Sequence, residues 1–275
     1  MRAKRARNPS APKENIPHSE RNTGRGPILY GHGETGKAGA RRMVSEAKDW
    51  VFEVTCTGAW DRGPEARAEA RAGARGWAGL RGLTTIDIYT PAADGAHDPF
   101  NDDGAGPLFI AMVAFSTHDA LDAALAGVPL AAQIAASPPG LAVTCTAFER
   151  HFYPVAGEAK PAPLRAHFSY VVRYHKPAED EAAFIRNYVD THPPTLATLP
   201  GIRSVVCYFP LPLAAPGVPP ADYIIGNEVA FDSVADFNTA MQSPVRQELR
   251  RHFREFPPFS GRNTHFPMDR TRLVG

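Results

Sequence analysis

The chain has 275 residues, enough for one large domain or two of ordinary size. Hydrophobic residues make up 43% of it, which can supply a packed core and excludes disorder over most of the length. Lys and Arg number 30 against 29 Asp and Glu, and this near-neutral balance argues against a general nucleic-acid-binding protein. The three cysteines, Cys56, Cys145 and Cys207, are too sparse for a disulfide framework or a zinc pattern, which indicates a reducing compartment.

The sequence shows neither the pattern of a membrane helix nor that of a secretory signal. No stretch approaches the roughly 20 apolar residues that a membrane helix needs. The basic residues at the N-terminus are not followed by the apolar run of a secretory signal. A cytoplasmic location, with no membrane and no nucleic-acid partner, is therefore predicted by elimination.

Residues 1–42 differ in composition from the rest of the chain. They hold ten Lys and Arg against three Glu, a net charge of +7 (10 − 3), with almost no apolar pattern. This composition predicts a disordered basic tail, and the alternatives are a translation start at Met43 or a nucleic-acid or targeting arm. Gly31–Lys37 (GHGETGK) has the spacing of a phosphate-binding loop, but Ala38 replaces the Ser or Thr that would bind magnesium. We interpret the match as chance.

The remaining chain repeats itself once. Residues 80–91 (LRGLTTIDIYTP) align with residues 199–210 (LPGIRSVVCYFP) at a shift of 119, and Trp50–Thr57 falls on Ser169–Lys176 at the same shift. Two further blocks, from residues 113 and 144, align at shifts of 116 and 120. A period of this length indicates duplication of a whole unit rather than a solenoid. The predicted units are residues 43–160, which are degenerate, and residues 165–275.

The second unit shows the element order βαββαβ of a ferredoxin-like fold. The pattern predicts strands and helices from apolar alternation, β-branched content and capping signals. His192–Pro193–Pro194 is expected to bend or interrupt the first helix, because proline removes a donor. The predicted strands are Phe168–His175, Ile202–Phe209, Tyr223–Phe231 and Asn263–Leu273, and the predicted helices are Glu179–Leu199, one from Val234 capped by Asp232 or Ser233, and Val245–Phe256 after Ser243–Pro244.

The first unit follows the same order less clearly. Its first helix, predicted over Gly63–Ala78, has almost no large apolar residue and should pack loosely. The segment Ala92–Pro107 is rich in Gly, Asp and Pro and is predicted to be an exposed excursion. The fold class is therefore α+β, with two tandem ferredoxin-like units.

A series of short motifs in the second unit resembles the EthD-like family of the dimeric α+β barrel proteins over residues 168–273. The family pattern combines a Lys-Pro turn after a strand, an aromatic helix followed by His, a Leu-Pro-Gly turn, Phe-Asp-Ser after a strand and a Ser-Pro in the last helix. These motifs are Tyr174–Pro177, Phe184, Tyr188, His192–Pro193, Leu199–Ile202, Phe231–Ser233 and Ser243–Pro244. The first unit departs from the pattern, with Gly73 in place of His192 and Leu80–Gly82 in place of Leu-Pro-Gly.

This resemblance implies a fold and a range of functions. Two four-stranded sheets pair face to face into a barrel, here within one chain, and a small hydrophobic cavity lies between sheet and helices. The wider superfamily includes cofactor-free oxygenases, lactone isomerases, cyclases and dehydratases as well as heme-binding members. The EthD-like branch is associated with degradation of ethers and other xenobiotics. A monomer with an internal pseudo-dimer, or a homodimer of it, follows.

His192 is the first candidate for chemistry. Proton abstraction from a weakly acidic carbon or phenol without a cofactor requires a base that titrates near neutrality, and His fits that role. The alternative is a structural His that satisfies backbone groups at the helix break.

Tyrosines on the predicted strands are the second group of candidates. Tyr174, Tyr208 and Tyr223 come from three strands, and if their faces coincide their phenols would converge on a cavity and hold an oxyanion or a ring. Ordinary core tyrosines are the alternative. We predict Tyr174 and Tyr208 as catalytic partners of His192, and as substrate-binding residues Tyr170, Tyr223, Asn227, Phe184 and Tyr188.

Two polar groups in the third strand and two further histidines leave alternatives open. Asn227 and Glu228 point to opposite faces, so that one is a site candidate and the other is expected to be solvated. His175 and His265 lie on the first and last strands, but their spacing with His192 matches no metal-binding motif. We predict no metal and no cofactor.

The leading hypothesis is a cofactor-independent isomerase, cyclase, dehydratase or oxygenase that acts on a compact apolar or aromatic compound. Xenobiotic degradation or secondary metabolism would be its context. The alternative is a binding or accessory protein that uses the same pocket without turnover, and a third is a structural module whose pocket is filled by side chains.

Overall fold

The computed structural model describes residues 47–275 except positions 60, 62, 94, 102, 105, 129, 131 and 133–139. The predicted basic tail, Met43 and the Gly31–Lys37 motif lie outside the described residues. The strands are β1 (Ala47–Thr57), β2 (Leu83–Pro91), β3 (Phe109–Phe115), β4 (Ala142–Tyr153), β5 (Phe168–His175), β6 (Ser204–Pro210), β7 (Tyr223–Phe231) and β8 (Asn263–Val274). The described helices are α1 (Gly63–Trp77), α2 (His118–Gly127), α3 (Glu181–Leu196), α4 (Val234–Met241) and α5 (Pro244–Arg254).

The eight strands form one closed antiparallel barrel, in the order β1-β3-β2-β8-β5-β7-β6-β4. Each half contributes four neighbouring strands, β4-β1-β3-β2 and β6-β7-β5-β8, so both halves have the strand arrangement of a ferredoxin-like unit. The halves join where β2 pairs with β8 and β4 pairs with β6. The predicted fold class is confirmed, and a single chain closes the barrel without an exposed sheet edge.

Apolar side chains fill both faces of the barrel wall. One buried cluster packs between the first half's strands and helices and includes Phe52 and Trp77. A second lies between the other half's strands and helices and includes Phe184 and Tyr188. A third fills the lumen, around Phe148. Successive residues of a strand point to opposite faces of the sheet. Each strand therefore places alternate side chains in the lumen and against one layer of helices.

Sequence repetition is visible in the backbone at the turn that precedes the second strand of each half. Gly82 has φ +78° and Gly201 has φ +73°, so both occupy the left-handed region that glycine enters without strain. At Gly82 a Cβ atom would also lie 2.6 Å from the Cβ of Ala120. The two glycines that matched in the alignment therefore perform the same task.

Helix α3 runs unbroken through both of its prolines, which corrects the expectation of an interruption at His192–Pro194. Asp180 caps its N-terminus by accepting a 2.8 Å hydrogen bond from the Ala183 N–H. Pro193 and Pro194 lie in the last turn, so few later residues depend on the missing donors. Helix α4 begins after Ser233, whose Oγ accepts from the Asp236 N–H at 3.2 Å. Substituting Ala for Ser233 should lower stability by about 1 kcal/mol in a urea titration.

The described residues of the segment Ala92–Pro107 belong to no named helix or strand and many of them are exposed, as its composition predicts. The segment is nevertheless attached to the second half, where Asn238 accepts from the His97 N–H at 2.9 Å and donates to the Gly95 carbonyl at 2.6 Å. Asp98, at 8% exposure, is buried between the two halves. Composition alone cannot show such contacts, because the partners are far away in sequence.

The described helices include none long and apolar enough to cross a membrane. The three cysteines are buried free thiols, in line with the absence of a disulfide pattern. Burial raises the pKa of Cys56 to about 11 and that of Cys207 well above its usual value, so both thiols stay protonated near neutral pH.

Candidate active site

A cavity lies between the second half's strands and helices α3 and α5. Its volume is about 50 Å³, and it opens to solvent. Four aliphatic side chains and three aromatic rings form much of its wall, and two arginines, two histidines and three asparagines supply the polar groups. The lining residues are Asn101, Tyr170, Val172, Tyr174, His192, Leu196, Asn227, Val229, Arg246, Leu249, Arg250, Phe253, Asn263 and His265.

His192 reaches the cavity from the last turns of helix α3. Its side chain is 7% exposed, and its Nδ1 is buried without a hydrogen-bond partner among the described residues. The ring lies 4.9 Å from that of Tyr188 and 5.0 Å from that of Phe256, measured between centroids. Burial, together with the nearby His252 and Arg246, lowers the pKa of His192 to about 3. The imidazole is therefore neutral at physiological pH and can accept a proton or a hydrogen bond.

Asn227 enters the same cavity from the middle of strand β7, on the face directed at the helices. Its amide nitrogen donates to the Tyr188 hydroxyl, while its Oδ1 is buried without a partner within the described part of the chain. An unpaired buried carbonyl costs free energy that a bound donor would recover. Asn227 thus gives this cavity one unpaired acceptor, and His192 gives a second in the tautomer that carries its proton on Nε2.

Tyr174 lines the cavity from strand β5. Its ring contacts those of Phe184 and Tyr188 at 5.5 and 5.3 Å. Burial raises the pKa of Tyr174 well above its ordinary value. The phenol is consequently a neutral donor, suited to an oxyanion rather than to proton abstraction.

A second polar group joins the two halves at the edge of the cavity. The Tyr170 hydroxyl donates to Asp98 at 2.7 Å, and Arg246 Nη2 donates to both Asp98 oxygens at 2.8 and 2.9 Å. Burial opposes the charge of Asp98, but the Arg246 guanidinium outweighs it and holds the pKa of the carboxyl below its usual value. Tyr170 and Arg246 are thereby fixed by a residue of the first half.

An adjoining opening extends the cavity beneath the Ala92–Pro107 segment. Its volume is about 120 Å³, and it shares Asn101, Tyr170 and His265 with the first. His265 is fixed there, since its backbone N–H and its Nδ1 contact Asp103 Oδ2 at 2.7 and 2.9 Å. Together the two spaces form one cleft whose outer wall comes from the first half.

The predicted tyrosines divide between the two faces of the sheet, so the expected convergence of all their phenols does not occur. Tyr208 and Tyr223 face the lumen, because Tyr208 lies opposite Gly226 in the register, next to Arg173, whose guanidinium is 4.5 Å from the Tyr208 ring. Tyr170, Tyr174 and Asn227 are brought to His192, while Phe184 and Tyr188 pack behind them in the core. Tyr208 and Tyr223 therefore lie apart from the other predicted site residues and cannot touch a ligand in this cavity.

Glu228 corrects a further expectation, since it is fully buried rather than solvated. It accepts hydrogen bonds in the lumen from Ser169 at 2.5 Å, from Tyr89 at 3.1 Å and from Tyr208. Both Asn227 and Glu228 are thus buried polar groups, one on each face of β7. The lumen network ties the two halves together, because Tyr89 belongs to the first.

Sequence reasoning missed the arginines of the site. Arg246 and Arg250 are four residues apart on helix α5, and Leu249 and Phe253 share their side of the helix. The four-residue spacing of the two arginines could have indicated from the sequence that both belong to the site. Asp98 could not be singled out in this way, because it is one of several acidic residues in a Gly-rich segment. No group of three or more His, Cys, Asp or Glu side chains in the described ranges could hold a metal ion.

Comparison with known proteins identifies the architecture. A structure described as an anthrone oxidase-like protein matches with a TM-score of 0.57 and 12% identity, over 83% of this chain and 94% of that one. A "putative monooxygenase" from Fusobacterium nucleatum matches with a TM-score of 0.50 and 9% identity, over 82% and 96%. This chain has the dimeric α+β barrel fold. At such identities the likeness to other α+β barrels extends to the fold alone, and neither a family model nor a curated protein matches the sequence.

The geometry of this α+β barrel permits acid–base chemistry without further groups. His192 is a neutral acceptor, Tyr174 a neutral donor, and Asn227 an acceptor held by Tyr188. These three side chains are buried, which strengthens the electrostatic interactions among them. A hydroxyl group on a bound molecule has one proton to donate and would pair with one of the two acceptors.

Proposed function

We propose that the protein is a cofactor-independent enzyme of the oxygenase type, acting on a compact hydroxylated aromatic compound. One observation carries the proposal: a buried, neutral His192 with an unpaired Nδ1 lines a largely apolar cavity beside the unpaired Oδ1 of Asn227. A bound ligand with matching groups would recover the hydrogen bonds that these two atoms lack.

In the proposed reaction His192 accepts a proton from the phenol or from an acidic ring carbon. The resulting anion is delocalised over the aromatic system, and the Tyr174 hydroxyl stabilises its oxyanion. The anion gives up two electrons to O₂ as a C–O bond forms, the imidazolium returns its proton to give a C–OOH group, and loss of one water molecule leaves a carbonyl group on the ring carbon. A pKa near 3 makes free His192 a weak base. An anion formed beside the imidazolium raises that pKa by direct attraction, so proton transfer is favoured only in the loaded site.

The named neighbours support this class of chemistry without identifying the substrate. One is described as an anthrone oxidase-like protein and another as a "putative monooxygenase". The EthD-like motifs of the second half support the same superfamily. We further propose that residues 43–160 and 165–275 are duplicated units, that the protein acts in the cytoplasm, and that the second unit alone holds a working His.

Anthrone, whose enol tautomer carries an aromatic hydroxyl group, provides the direct test together with O₂. Wild-type protein should consume O₂ with anthrone, and H192Q should lower kcat by about 10²–10⁴-fold, the usual contribution of a general base. The exposed His118 offers a matched control, and H118Q should leave the rate unchanged. Circular dichroism checks that both variants are folded. Full activity of H192Q would contradict the assignment of the base.

A second candidate function is ligand binding without turnover. The low pKa of His192 favours it, because a weak base in the free protein suits hydrogen bonding as well as catalysis. Under this alternative, anthrone raises the melting temperature but no O₂ is consumed. Under the enzyme hypothesis both effects occur.

A further inference from the structure

Charge at the outer side of the cavity is not balanced. Arg246 is neutralised by its ion pair with Asp98, but Arg250, one helical turn later, has no carboxylate partner among the described residues. The Arg250 guanidinium lies 5.5 Å from the Phe100 ring and 5.3 Å from the Phe253 ring, and its Nε is buried without a hydrogen-bond partner. The two rings hold the guanidinium in place while leaving its donor edge unused.

The deep side of the same cavity presents acceptors. Asn227 and His192 are 3% and 7% exposed, and each keeps one buried polar atom unpaired. Val172, Leu196 and Val229 line the space together with these groups. A ligand that engages both sides of the cavity carries a hydroxyl donor for one of these acceptors at one end, an apolar ring in the middle and an anionic group at the other end.

We propose that the cavity takes a hydroxylated aromatic carboxylate and that Arg250 is the residue that selects for the carboxylate. This inference rests on the proposed function, since it names the substrate class of the same site. A planar guanidinium can donate two parallel hydrogen bonds to a carboxylate, which a neutral phenol cannot accept. Arg250 therefore separates acids from neutral phenols of the same size.

The test uses 4-hydroxybenzoate and its neutral analogue 4-methylphenol as probes in calorimetric titrations of the full chain. Wild-type protein should bind the acid more tightly than the neutral analogue. R250Q should raise the Kd of 4-hydroxybenzoate by about 10-fold or more, the scale of a lost charge-assisted hydrogen bond at a half-buried arginine. The Kd of 4-methylphenol should stay within about twofold, because no charge is involved. R250K keeps the charge and should retain tighter binding of the acid than R250Q.

The exposed Arg254 on the same helix is the matched control, and R254Q should change neither Kd. Equal binding of both probes by wild-type protein and R250Q would overturn the role of Arg250 while leaving the proposed function standing. Equal weakening of both probes by R250Q would also overturn it, since Arg250 would then only shape the cavity. If neither probe binds and anthrone neither binds nor turns over, the proposed function fails together with this inference.

Discussion

Replacing Glu53 with Leu should destabilise the protein by about 3–5 kcal/mol, the cost of leaving a buried charge without its partner. Glu53 on β1 and Arg173 on β5 form an ion pair across the lumen, and both side chains are 2% exposed. In E53L the Arg173 guanidinium would still donate a hydrogen bond to the Val172 carbonyl at 2.8 Å and would still lie over the Tyr208 ring. It would have lost the carboxylate that balances its charge. Arg173 cannot escape by losing its proton, because an arginine stays charged in proteins.

Urea denaturation followed by circular dichroism measures this effect. The double variant E53L/R173M removes both charges and should recover most of the loss, because apolar pairs often replace buried ion pairs without cost. E149Q is the control for a more exposed pair, with Lys48 at 51% and Glu149 at 26% exposure, and should cost less than about 1 kcal/mol. A loss in E53L no larger than that in E149Q would contradict the view that this pair fixes one half against the other.

The fold could be predicted from the sequence where local pattern and repetition agreed. Strands β5 and β7 have the predicted limits, Phe168–His175 and Tyr223–Phe231, because β-branched and aromatic residues fill them between clear turn signals. The strand order follows from recognising βαββαβ twice. Closure of the barrel was implied by the EthD-like resemblance and not by any local pattern.

The candidate site could be predicted from the sequence only in part. Alternation along a strand shows which side chains share a face, but it does not show which of the two faces packs against the helices. Tyr174 and Tyr208 are both on strands of the second half, yet the register places Tyr208 beside Arg173 and Tyr174 on the other face. A shift of one residue exchanges the two faces. Asp98 illustrates a different limit, since it contacts Arg246 across 148 residues of sequence.

Acid should unfold the protein in a way that depends on His192. The pKa of His192 is about 3 in the folded chain against an ordinary value of 6.5, so between these values the unfolded chain binds a proton that the folded chain does not. The contribution to stability is complete above pH 6.5 and is lost as the pH falls toward 3. At 1.36 kcal/mol per pH unit, the loss from pH 6.5 to pH 4 is about 3 kcal/mol.

Urea titrations at several pH values should therefore show a flatter acid limb for H192Q than for wild-type protein, whatever the effect of the substitution at neutral pH. His175 contributes in the same range, since burial with the nearby Arg262 and Arg173 lowers its pKa to about 4, and a residual slope in H192Q should be reduced further in H192Q/H175Q. H118Q, at an exposed position, should follow the wild-type curve. Parallel acid limbs for wild-type protein and H192Q would mean that the folded and the unfolded chain bind this proton equally, so that burial does not lower the pKa of His192. The slope of this curve therefore tests whether the pKa of His192 is lowered in the folded chain, which its assignment as a neutral acceptor far below its ordinary pKa requires.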